Sequence, residues 1–293
     1  MTVVFDTIQA TRRWVRTERF AGKSIGFVPT MGAFHEGHLS LIRRAHQQCG
    51  RVVVSVFVNP LQFGEGEDFE RYPRDFSRDL ELAEHEEVDA LFHPAAEEMY
   101  PETQQITIQA GKLGDLLCGR ARPGHFAGVA TVVAKLLNIV QPDRIFFGQK
   151  DAQQAVLIER MIAELGFPVE MEVCPTVREA DGLALSSRNA YLSAEERANA
   201  TVLYRSLCHA ATRIRAGERD ATRIEREMRE MIGAVPGAVL DYASVVDRRS
   251  LEGVSTIGGE VLAAVAVRFG RTRLIDNVVA GPGKESQTPS TKN

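Results

Sequence analysis

Apolar and polar positions follow two different periods in the first 177 residues of the chain. Short runs of β-branched and aromatic residues predict buried strands at residues 24–30, 51–58, 88–94, 143–148 and 169–177. Between these runs lie longer stretches in which apolar residues recur three and four positions apart. Strands that alternate with amphipathic helices are typical of βαβ units, in which helices cover both faces of a parallel sheet.

The stretch after the first predicted strand shows the helical pattern clearly. Within residues 37–50, Leu41, Ile42 and Ala45 fall on one face, and arginine, serine and glutamine fall on the other. We therefore expect a Rossmann-like, doubly wound parallel sheet. The same apolar spacing predicts further helices at residues 75–86, 127–140 and 151–165.

The second half of the chain has a different pattern of charged and apolar residues. Two highly charged helical stretches precede two apolar stretches, an order that is typical of a small α+β unit. The predicted helices lie at residues 193–216 and 219–233, and the predicted strands lie at residues 240–247 and 261–279.

These patterns predict two domains and a tail. We expect a Rossmann-like domain at residues 1–177 and a second, smaller α+β C-terminal domain at residues 178–281 that closes over the site. Residues 282–293 contain almost no apolar side chain, and we therefore expect a disordered tail there.

Composition narrows the class of protein. The chain has 293 residues, of which 44% are hydrophobic and 25% charged, as in ordinary globular proteins. A net charge of −4 gives no global attraction for nucleic acid or for an anionic membrane. No apolar stretch approaches the roughly 20 residues that a spanning helix needs. The four cysteines are widely spaced and no secretory leader is visible, so we expect a cytoplasmic protein.

Two histidines in the segment VPTMGAFHEGHLSL, residues 28–41, are the first candidates for chemistry. The segment joins a predicted strand to a predicted helix, at the sheet edge where open α/β folds bind ligands. Amide groups at the start of a helix attract phosphate. His35 and His38 are three positions apart and can share a helix face, where they suit charge neutralisation or proton donation at phosphorus.

Other interpretations of the histidine pair stay open at this point. A single histidine at a helix start is most often a capping or solvent-facing residue, and a pair on one helical turn can ligate zinc. The pair lacks the H-E-x-x-H pattern and a third ligand at the usual spacing, so we predict no metal site. The P-loop pattern G-x-x-x-x-G-K-[ST] is also absent from the sequence.

Four further stretches place polar residues beside predicted strands and helices. A lysine, an arginine or hydroxyl groups can bind phosphate oxygens, and glutamine amides suit a hydroxyacid. Taken singly, such a stretch is better explained by a solvated loop or a surface ion pair. The stretches are FVNPLQFGEGEDFERYPRD (57–75), GRARPGHFAGVATVVAKL (119–136), FFGQKDAQQ (146–154) and LALSSRN (183–189).

Taken together and in this order, the five stretches resemble the pantothenate synthetase (pantoate-β-alanine ligase) family. The resemblance covers nearly the whole chain, from residue 2 to residue 281. HEGH also resembles the HIGH box of the wider nucleotidyltransferase and class I aminoacyl-tRNA synthetase superfamily, and LSSRN lies where that superfamily has its second signature loop. The motifs are PTMGAFHEGHLSL, FVNPLQF, RYPR, RPGHFAGVATVVAKL, FGQKDAQQ and LALSSRNAYLS.

The resemblance implies an ATP-dependent, AMP-forming ligase. The carboxylate of pantoate would attack the α-phosphate of ATP, with Mg²⁺ assisting, and give pantoyl adenylate and pyrophosphate. The amine of β-alanine would then displace AMP and form pantothenate. The resemblance also implies a homodimer.

Particular positions take roles from the same resemblance. His38 matches the proton donor, and His35, Lys150 and Arg188 match groups that act on the phosphates. Gln62 and Gln154 match the pantoate-binding glutamines, and Gln62 also matches the β-alanine site. The ATP-binding positions are Met31, Gly32, Ala33, Phe34, His35, Glu36, Gly37, His38, Gly148, Gln149, Lys150, Asp151, Val177, Leu185, Ser186, Ser187 and Arg188. Further positions near the pocket are Asn59, Tyr72, Arg122 and His125.

Two other functions remain as alternatives. A nucleotidyltransferase of the same superfamily would use the same histidine loop to transfer AMP to a phosphorylated acceptor, but such an acceptor would favour more cations than Gln62 and Gln154 supply. A non-catalytic adenylate-binding protein would bind nucleotide without releasing pyrophosphate. The presence of His38, Lys150 and Arg188 argues against it. The sequence departs from the family at Gln149, where a glutamate is often found.

Overall fold

The computed structural model of the chain describes residues 1–282, so nearly all of the predicted tail at 282–293 lies outside the described residues. The chain is divided into two compact units. The first unit contains residues 1–115, 119–148 and 154–174, and the second contains residues 116–118, 149–153 and the chain from Pro175 onward.

The elements up to residue 174 alternate between strand and helix. In chain order they are β1 (Val3–Phe5), α1 (Ile8–Phe20), β2 (Ile25–Thr30), α2 (Glu36–Gln48), β3 (Arg51–Val56), a 3-10 helix (Pro60–Gln62), α3 (Phe76–His85), β4 (Ala90–Phe92), α4 (Ala96–Met99), α5 (Gly111–Asp115), α6 (Cys118–Ala121), α7 (His125–Val140), β5 (Arg144–Gly148), a 3-10 helix (Gln149–Asp151), α8 (Ala152–Leu165) and β6 (Glu170–Cys174).

The first unit is built on a six-stranded parallel sheet. Its strand order is β1-β4-β3-β2-β5-β6, and every pair of neighbours is parallel. Phe27 and Val28 are consecutive in β2 and both are 0% exposed. Because consecutive strand residues point to opposite faces, both faces of the sheet are covered, as expected for a doubly wound fold. The predicted fold class is therefore confirmed.

Helix α2 covers one face of this sheet with its apolar stripe. Leu41, Ile42 and Ala45 are buried in one apolar cluster with Val54 of β3 and Phe146 of β5. The sequence pattern had placed the same three residues of α2 on one face, so the predicted crossover helix is confirmed.

The N-terminal elements β1 and α1 are absent from the sequence predictions. β1 has only three residues, and only Thr11 and Val15 of α1 are buried. β1 joins the sheet edge by pairing with β4, in the register Val4 with Leu91. Short edge strands of this kind are held by tertiary pairing more than by their own sequence.

The second unit contains a three-stranded antiparallel sheet with helices packed against it. Its strand order is β7-β8-β9, and α10 and α11 share one apolar core with the sheet. The elements are a 3-10 helix (Ser187–Tyr191), α9 (Ala194–Asn199), α10 (Val202–Arg215), α11 (Ala221–Gly233), β7 (Ala238–Asp247), β8 (Val261–Phe269) and β9 (Thr272–Ala280).

Two predicted stretches of the second unit are divided in the structure. The helical stretch 193–216 forms α9 and α10, because the chain tightens at Ala200 and Thr201 and the Leu203 N–H donates to the Ala200 carbonyl at 3.1 Å. The apolar stretch 261–279 forms the hairpin of β8 and β9, which turns at Gly270 with φ = +53°.

Within residues 1–282, no helix has both the length and the apolar character that crossing a membrane would require.

We expect Ile42→Ala to lower the free energy of unfolding by about 2–5 kcal/mol, because it removes a fully buried side chain and leaves a cavity against β3. The matched control is Gln47→Ala on the exposed face of the same helix, with an expected change below about 0.5 kcal/mol. Urea denaturation measures both values. Equal losses for the two variants would contradict the assigned packing face of α2.

Candidate active site

Strands β2 and β5 part at their carboxyl ends. Their parallel pairing reaches only Phe27 with Ile145, although β2 continues to Thr30 and β5 to Gly148. The chain leaves β2 towards β3 on one side and leaves β5 towards β6 on the other. This reversal is the switch point of a doubly wound sheet, where ligands bind beyond the carboxyl ends of the strands.

The backbone that follows β2 is held by a buried carboxylate. Asp79 of α3 is 2% exposed, and it accepts hydrogen bonds from the N–H of Ala33 at 2.8 Å and of Phe34 at 2.7 Å. These bonds fix a segment in which Gly32 and Ala33 both have positive φ, +81° and +53°. A β-carbon at Gly32 would lie 2.7 Å from Asp79 Oδ2, so only glycine fits there.

Burial sets the electrostatics of Asp79. It raises the pKa of this carboxyl group, and the N–H donors of Phe34 and Ala33 oppose the rise. The ionised form is thus stabilised by the same two bonds that shape the loop.

The histidine pair caps α2 reciprocally. His35 Nδ1 accepts from the Gly37 N–H at 3.1 Å, and His38 Nδ1 accepts from the His35 N–H at 3.4 Å. The two rings lie 4.1 Å apart between centroids. Because both Nδ1 atoms act as acceptors, we assign the proton of each neutral ring to Nε2. The capping interpretation therefore holds, and it places an Nε2–H donor on each ring at the start of α2.

Glu36 puts a carboxylate beside this helix start, and an arginine neutralises it. The Arg43 guanidinium forms ion pairs with Glu36 and with Glu86. The same guanidinium lowers the pKa of Glu86. Pairing of Glu36 reduces the repulsion that an anion at the α2 N-terminus would otherwise meet.

Gln62 is oriented by two neighbours in the first unit. Its Oε1 accepts from Asn59 Nδ2 at 3.2 Å, and its Nε2 donates to Met31 Sδ at 2.9 Å. Asn59 is 1% exposed and is held in turn by the Gly128 carbonyl at 3.1 Å and by the Tyr100 hydroxyl at 2.9 Å. The structure thus brings three predicted site residues, Met31, Asn59 and Gln62, into one network.

Arg122 and His125 hold the loop that follows Gln62. Arg122 forms a bidentate ion pair with Glu67, with both N–O distances at 2.6 Å. His125 Nδ1 donates to the Gln62 carbonyl at 2.7 Å, and Arg122 Nη1 donates to His125 Nε2 at 2.9 Å. Although burial works in the opposite direction, the Arg122 hydrogen bond contributes to a lowered pKa of Glu67. Both residues therefore have structural partners near Gln62.

Three other predicted residues of the first unit have simpler surroundings. Tyr72 is 6% exposed and packs edge-on against Phe63. Gly148 ends β5, and Gln154 is half-buried in the first turn of α8.

The second unit carries the remaining predicted positions. The 3-10 helix Gln149–Asp151 contains Lys150, whose Nζ lies 3.7 Å from Asp151 Oδ1. The Leu185 N–H donates to the Val177 carbonyl at 3.0 Å, which joins two predicted ATP-binding segments. Ser186 caps the next 3-10 helix by accepting from the Arg188 N–H at 3.3 Å, and Ser187 begins that helix.

Known proteins of similar sequence share one description. The family model described as pantoate-beta-alanine ligase matches residues 3–279. Pantothenate synthetase of Syntrophomonas wolfei is 53% identical over 94% of this chain and 98% of its own, and that of Geobacillus kaustophilus is 55% identical over 94% and 92%.

Solved structures agree with the sequence relatives. Pantothenate synthetase from Thermus thermophilus superposes with a TM-score of 0.90 at 47% identity, covering 94% of this chain and 99% of its own. Pantoate-beta-alanine ligase from Francisella tularensis, complexed with beta-gamma ATP and beta-alanine, gives a TM-score of 0.77 at 32% identity, covering 94% and 97%.

The chain belongs to the pantoate-β-alanine ligase family. The resemblance found in the motifs is therefore confirmed across nearly the whole chain. The roles of the individual residues in this ligase family member stay predictions.

Asp79, which holds the loop after β2 in this ligase, was not among the residues predicted from the sequence. A signal was present, because Asp79 stands three residues after Phe76 and four before Ala83, on the apolar stripe of a predicted amphipathic helix. A carboxylate at an apolar position indicates a buried partner. Its partner lies 45 residues away in the chain, so the sequence could not name it.

Among residues 1–282 no group of three or more His, Cys, Asp or Glu side chains could hold a metal ion. Mg²⁺ commonly keeps several waters and binds the oxygens of a nucleotide's phosphates, so the ligase needs no acidic cage for it.

We expect Asp79→Ala to weaken ATP binding by about tenfold, or 1.4 kcal/mol, because the Ala33 and Phe34 N–H groups lose their acceptor and the positive-φ loop is released. Titration calorimetry measures the affinity. The matched control is Asp75→Ala on the same helix, which removes the N-cap of α3 and costs about 1 kcal/mol of stability. Unchanged ATP affinity in a folded Asp79→Ala protein would remove Asp79 from the site.

Proposed function

We propose that the chain condenses pantoate with β-alanine to form pantothenate, and converts ATP into AMP and pyrophosphate through a pantoyl adenylate. The observation that carries the proposal is the match to the ligase family over residues 3–279. The Francisella tularensis relative, complexed with beta-gamma ATP and beta-alanine, supports ATP and β-alanine as substrates here.

Adenylation solves a chemical problem of the acid. A carboxylate is a poor acylating agent because its leaving group would be oxide. Attack of the pantoate carboxylate on the α-phosphorus forms a carboxyl-phosphate bond and breaks the bond to pyrophosphate. The β-alanine amine then attacks the carboxyl carbon, AMP leaves with the bonding electron pair, and the amine loses a proton.

In the proposed first step, the histidine pair acts on the phosphates. Each Nδ1 accepts from a backbone N–H, and in the proposed step the Nε2–H of His35 and of His38 donates to a phosphate oxygen. His38 donates its proton as pyrophosphate leaves, and His35 stabilises the phosphate charge. Because α2 begins at Glu36, its N-terminal amides add to the attraction for phosphate.

Gln62 is the proposed ligand of pantoate, together with Gln154, and it also lies beside the β-alanine amine. The Asn59 amide holds the Gln62 carbonyl oxygen, whereas the Gln62 N–H donates to the thioether of Met31. A thioether is a weak acceptor, so exchanging it for a pantoate oxygen costs little. Asn59, Tyr72, Arg122 and His125 are proposed to maintain the surroundings of this group.

In the second unit, Lys150 and Arg188 are the proposed ligands of the phosphate oxygens. Lys150 supplies a mobile point charge and Arg188 a planar guanidinium that can bind two oxygens. Ser186 and Ser187 add hydroxyl donors, and Val177 and Leu185 contact the adenine side. Gly148, Gln149 and Asp151 shape the segment around Lys150. When bound, Mg²⁺ neutralises charge on the triphosphate.

The alternative, transfer of AMP to a phosphorylated acceptor, is weaker on electrostatic grounds. Such an acceptor would need a cation near Gln62. Arg122 is the candidate in the first unit, but Glu67 already pairs its guanidinium through two bonds.

We also propose that the enzyme is a cytoplasmic homodimer that binds neither nucleic acid nor membranes. All four cysteines are free thiols, which suits a reducing compartment. The net charge of −4 gives polyanions no general attraction. The domain limits at residues 177 and 281, and the closure of the smaller domain, stay predictions.

The direct test is an omission assay with purified protein, ATP, Mg²⁺, pantoate and β-alanine. We expect pyrophosphate release to require ATP and pantoate, and pantothenate formation to require β-alanine as well. AMP and pantothenate should appear in equal amounts when all components are present. Pyrophosphate release that ignores pantoate, or that requires a phosphorylated acceptor, would exclude the ligase.

We expect His38→Ala to fold normally and to lower the rate of pyrophosphate release by about 10²- to 10⁴-fold, the range for a positioned proton donor. His46→Ala, at an exposed position of the same helix, is the matched control and should keep the wild-type rate. Rapid-quench measurement of pyrophosphate gives both rates. A normal rate in the folded His38→Ala protein would show that His38 does not act in adenylation.

A further inference from the structure

Asn277 of β9 has a buried side-chain amide that forms three hydrogen bonds with one short segment, Gln149–Lys150. It is 4% exposed. Its Nδ2 donates to the Gln149 carbonyl at 3.0 Å and to the Lys150 carbonyl at 2.9 Å, and its Oδ1 accepts from Gln149 Nε2 at 2.9 Å. All of these residues belong to the second unit.

These three bonds match the chemistry of an asparagine amide. The NH₂ group has two donors, and each donor has a backbone carbonyl as partner. The bonds therefore hold the peptide groups on both sides of the Lys150 Cα and not merely one side chain. Aspartate at position 277 would have the same shape, but it would bring acceptors against both carbonyls.

Asn277 is itself held by a rigid neighbour in the chain. Its backbone N–H donates to Asp276 Oδ1 at 2.7 Å. Asp276 forms a bidentate ion pair with Arg178 at 2.6 and 2.9 Å, and the guanidinium carbon of Arg178 lies 3.9 Å from the centre of the Tyr204 ring. The side chains of Asp276 and Arg178 are only 1% and 7% exposed, so this anchor is shielded from water.

The position of the Lys150 ammonium depends strongly on how the Lys150 backbone is held. Its ammonium ends a flexible four-carbon chain, and its ion pair with the half-exposed Asp151 is a long contact of 3.7 Å. A flexible side chain is positioned chiefly by where its Cα is held. Asn277 holds the carbonyls on both sides of the Lys150 Cα.

We propose that Asn277 is a positioning residue of the ligase, which sets the Lys150 ammonium for ATP by holding the Gln149 and Lys150 carbonyls. The inference rests on the proposed function, because it takes Lys150 as a phosphate ligand. Gln149 adds the reciprocal bond, which a glutamate carboxylate could not donate.

The test is a double-mutant cycle of Asn277→Ala with Lys150→Gln, measured as ATP affinity by titration calorimetry without pantoate, so that no turnover is needed. We expect Asn277→Ala alone to weaken ATP binding about tenfold and to slow pyrophosphate release about 10- to 100-fold, as a displaced ligand would. In the Lys150→Gln background, we expect Asn277→Ala to change ATP affinity by less than about twofold.

Two further variants provide a partial rescue and a control. Asn277→Ser retains one hydroxyl donor and should recover part of the ATP affinity; it carries the cycle if Asn277→Ala does not fold. Asn199→Ala is the matched control, because the Nδ2 of Asn199 also donates to a carbonyl of the second unit, that of Pro236 at 3.1 Å. It should bind ATP as wild type does.

The outcomes separate this inference from the proposed function. If the effects of Asn277→Ala and Lys150→Gln multiply, Asn277 acts on general stability and the inference is overturned. It is also overturned if folded Asn277→Ala and Asn277→Ser proteins bind ATP normally. If wild-type protein releases no pyrophosphate with pantoate and ATP, the proposed function fails, whatever the cycle shows.

Discussion

The separation of β2 and β5 at their carboxyl ends is the constraint on which the first unit depends. Their pairing stops at Phe27 and Ile145, and Pro29, which has no N–H to donate, lies in the part of β2 that pairs with β3 but no longer with β5. An opening at this point exists because the sheet is wound in both directions from it. The histidine-bearing loop follows from the end of β2, and its conformation then requires a support.

Buried polar residues supply the support, and they do so through backbone groups. Asp79 binds two N–H groups of the loop after β2, and Asn277 binds two carbonyls of the segment after β5. In both cases a buried side chain satisfies backbone groups of the segment that follows a strand. A wrong partner would leave a buried polar group unpaired, at a cost of about 1–3 kcal/mol each. Such supports are therefore specific.

The predicted substrate ligands are also oriented by hydrogen bonds to neighbouring groups. His35 and His38 cap α2 with one ring nitrogen each, and their protons are thereby assigned to the other nitrogen. Gln62 is oriented by Asn59 and keeps its N–H against a weak acceptor. The fold thus fixes the geometry of each of these groups through hydrogen bonds to its neighbours.

The sequence by itself determined the fold class, the strands of the sheet core and the family. Apolar period is a local property that a window of 11–18 residues is enough to reveal, and the order of the motifs along the chain is written directly in the sequence. Tertiary structure alone decided that β1 joins the sheet edge, that the stretch 193–216 breaks into α9 and α10, and that Asp79 and Asn277 hold distant loops. Asp79 and Asn277 meet partners 45 and 127 residues away. A single sequence records that each is a polar residue among apolar ones, but hydrogen bonds act over about 3 Å in space and leave no trace in chain order.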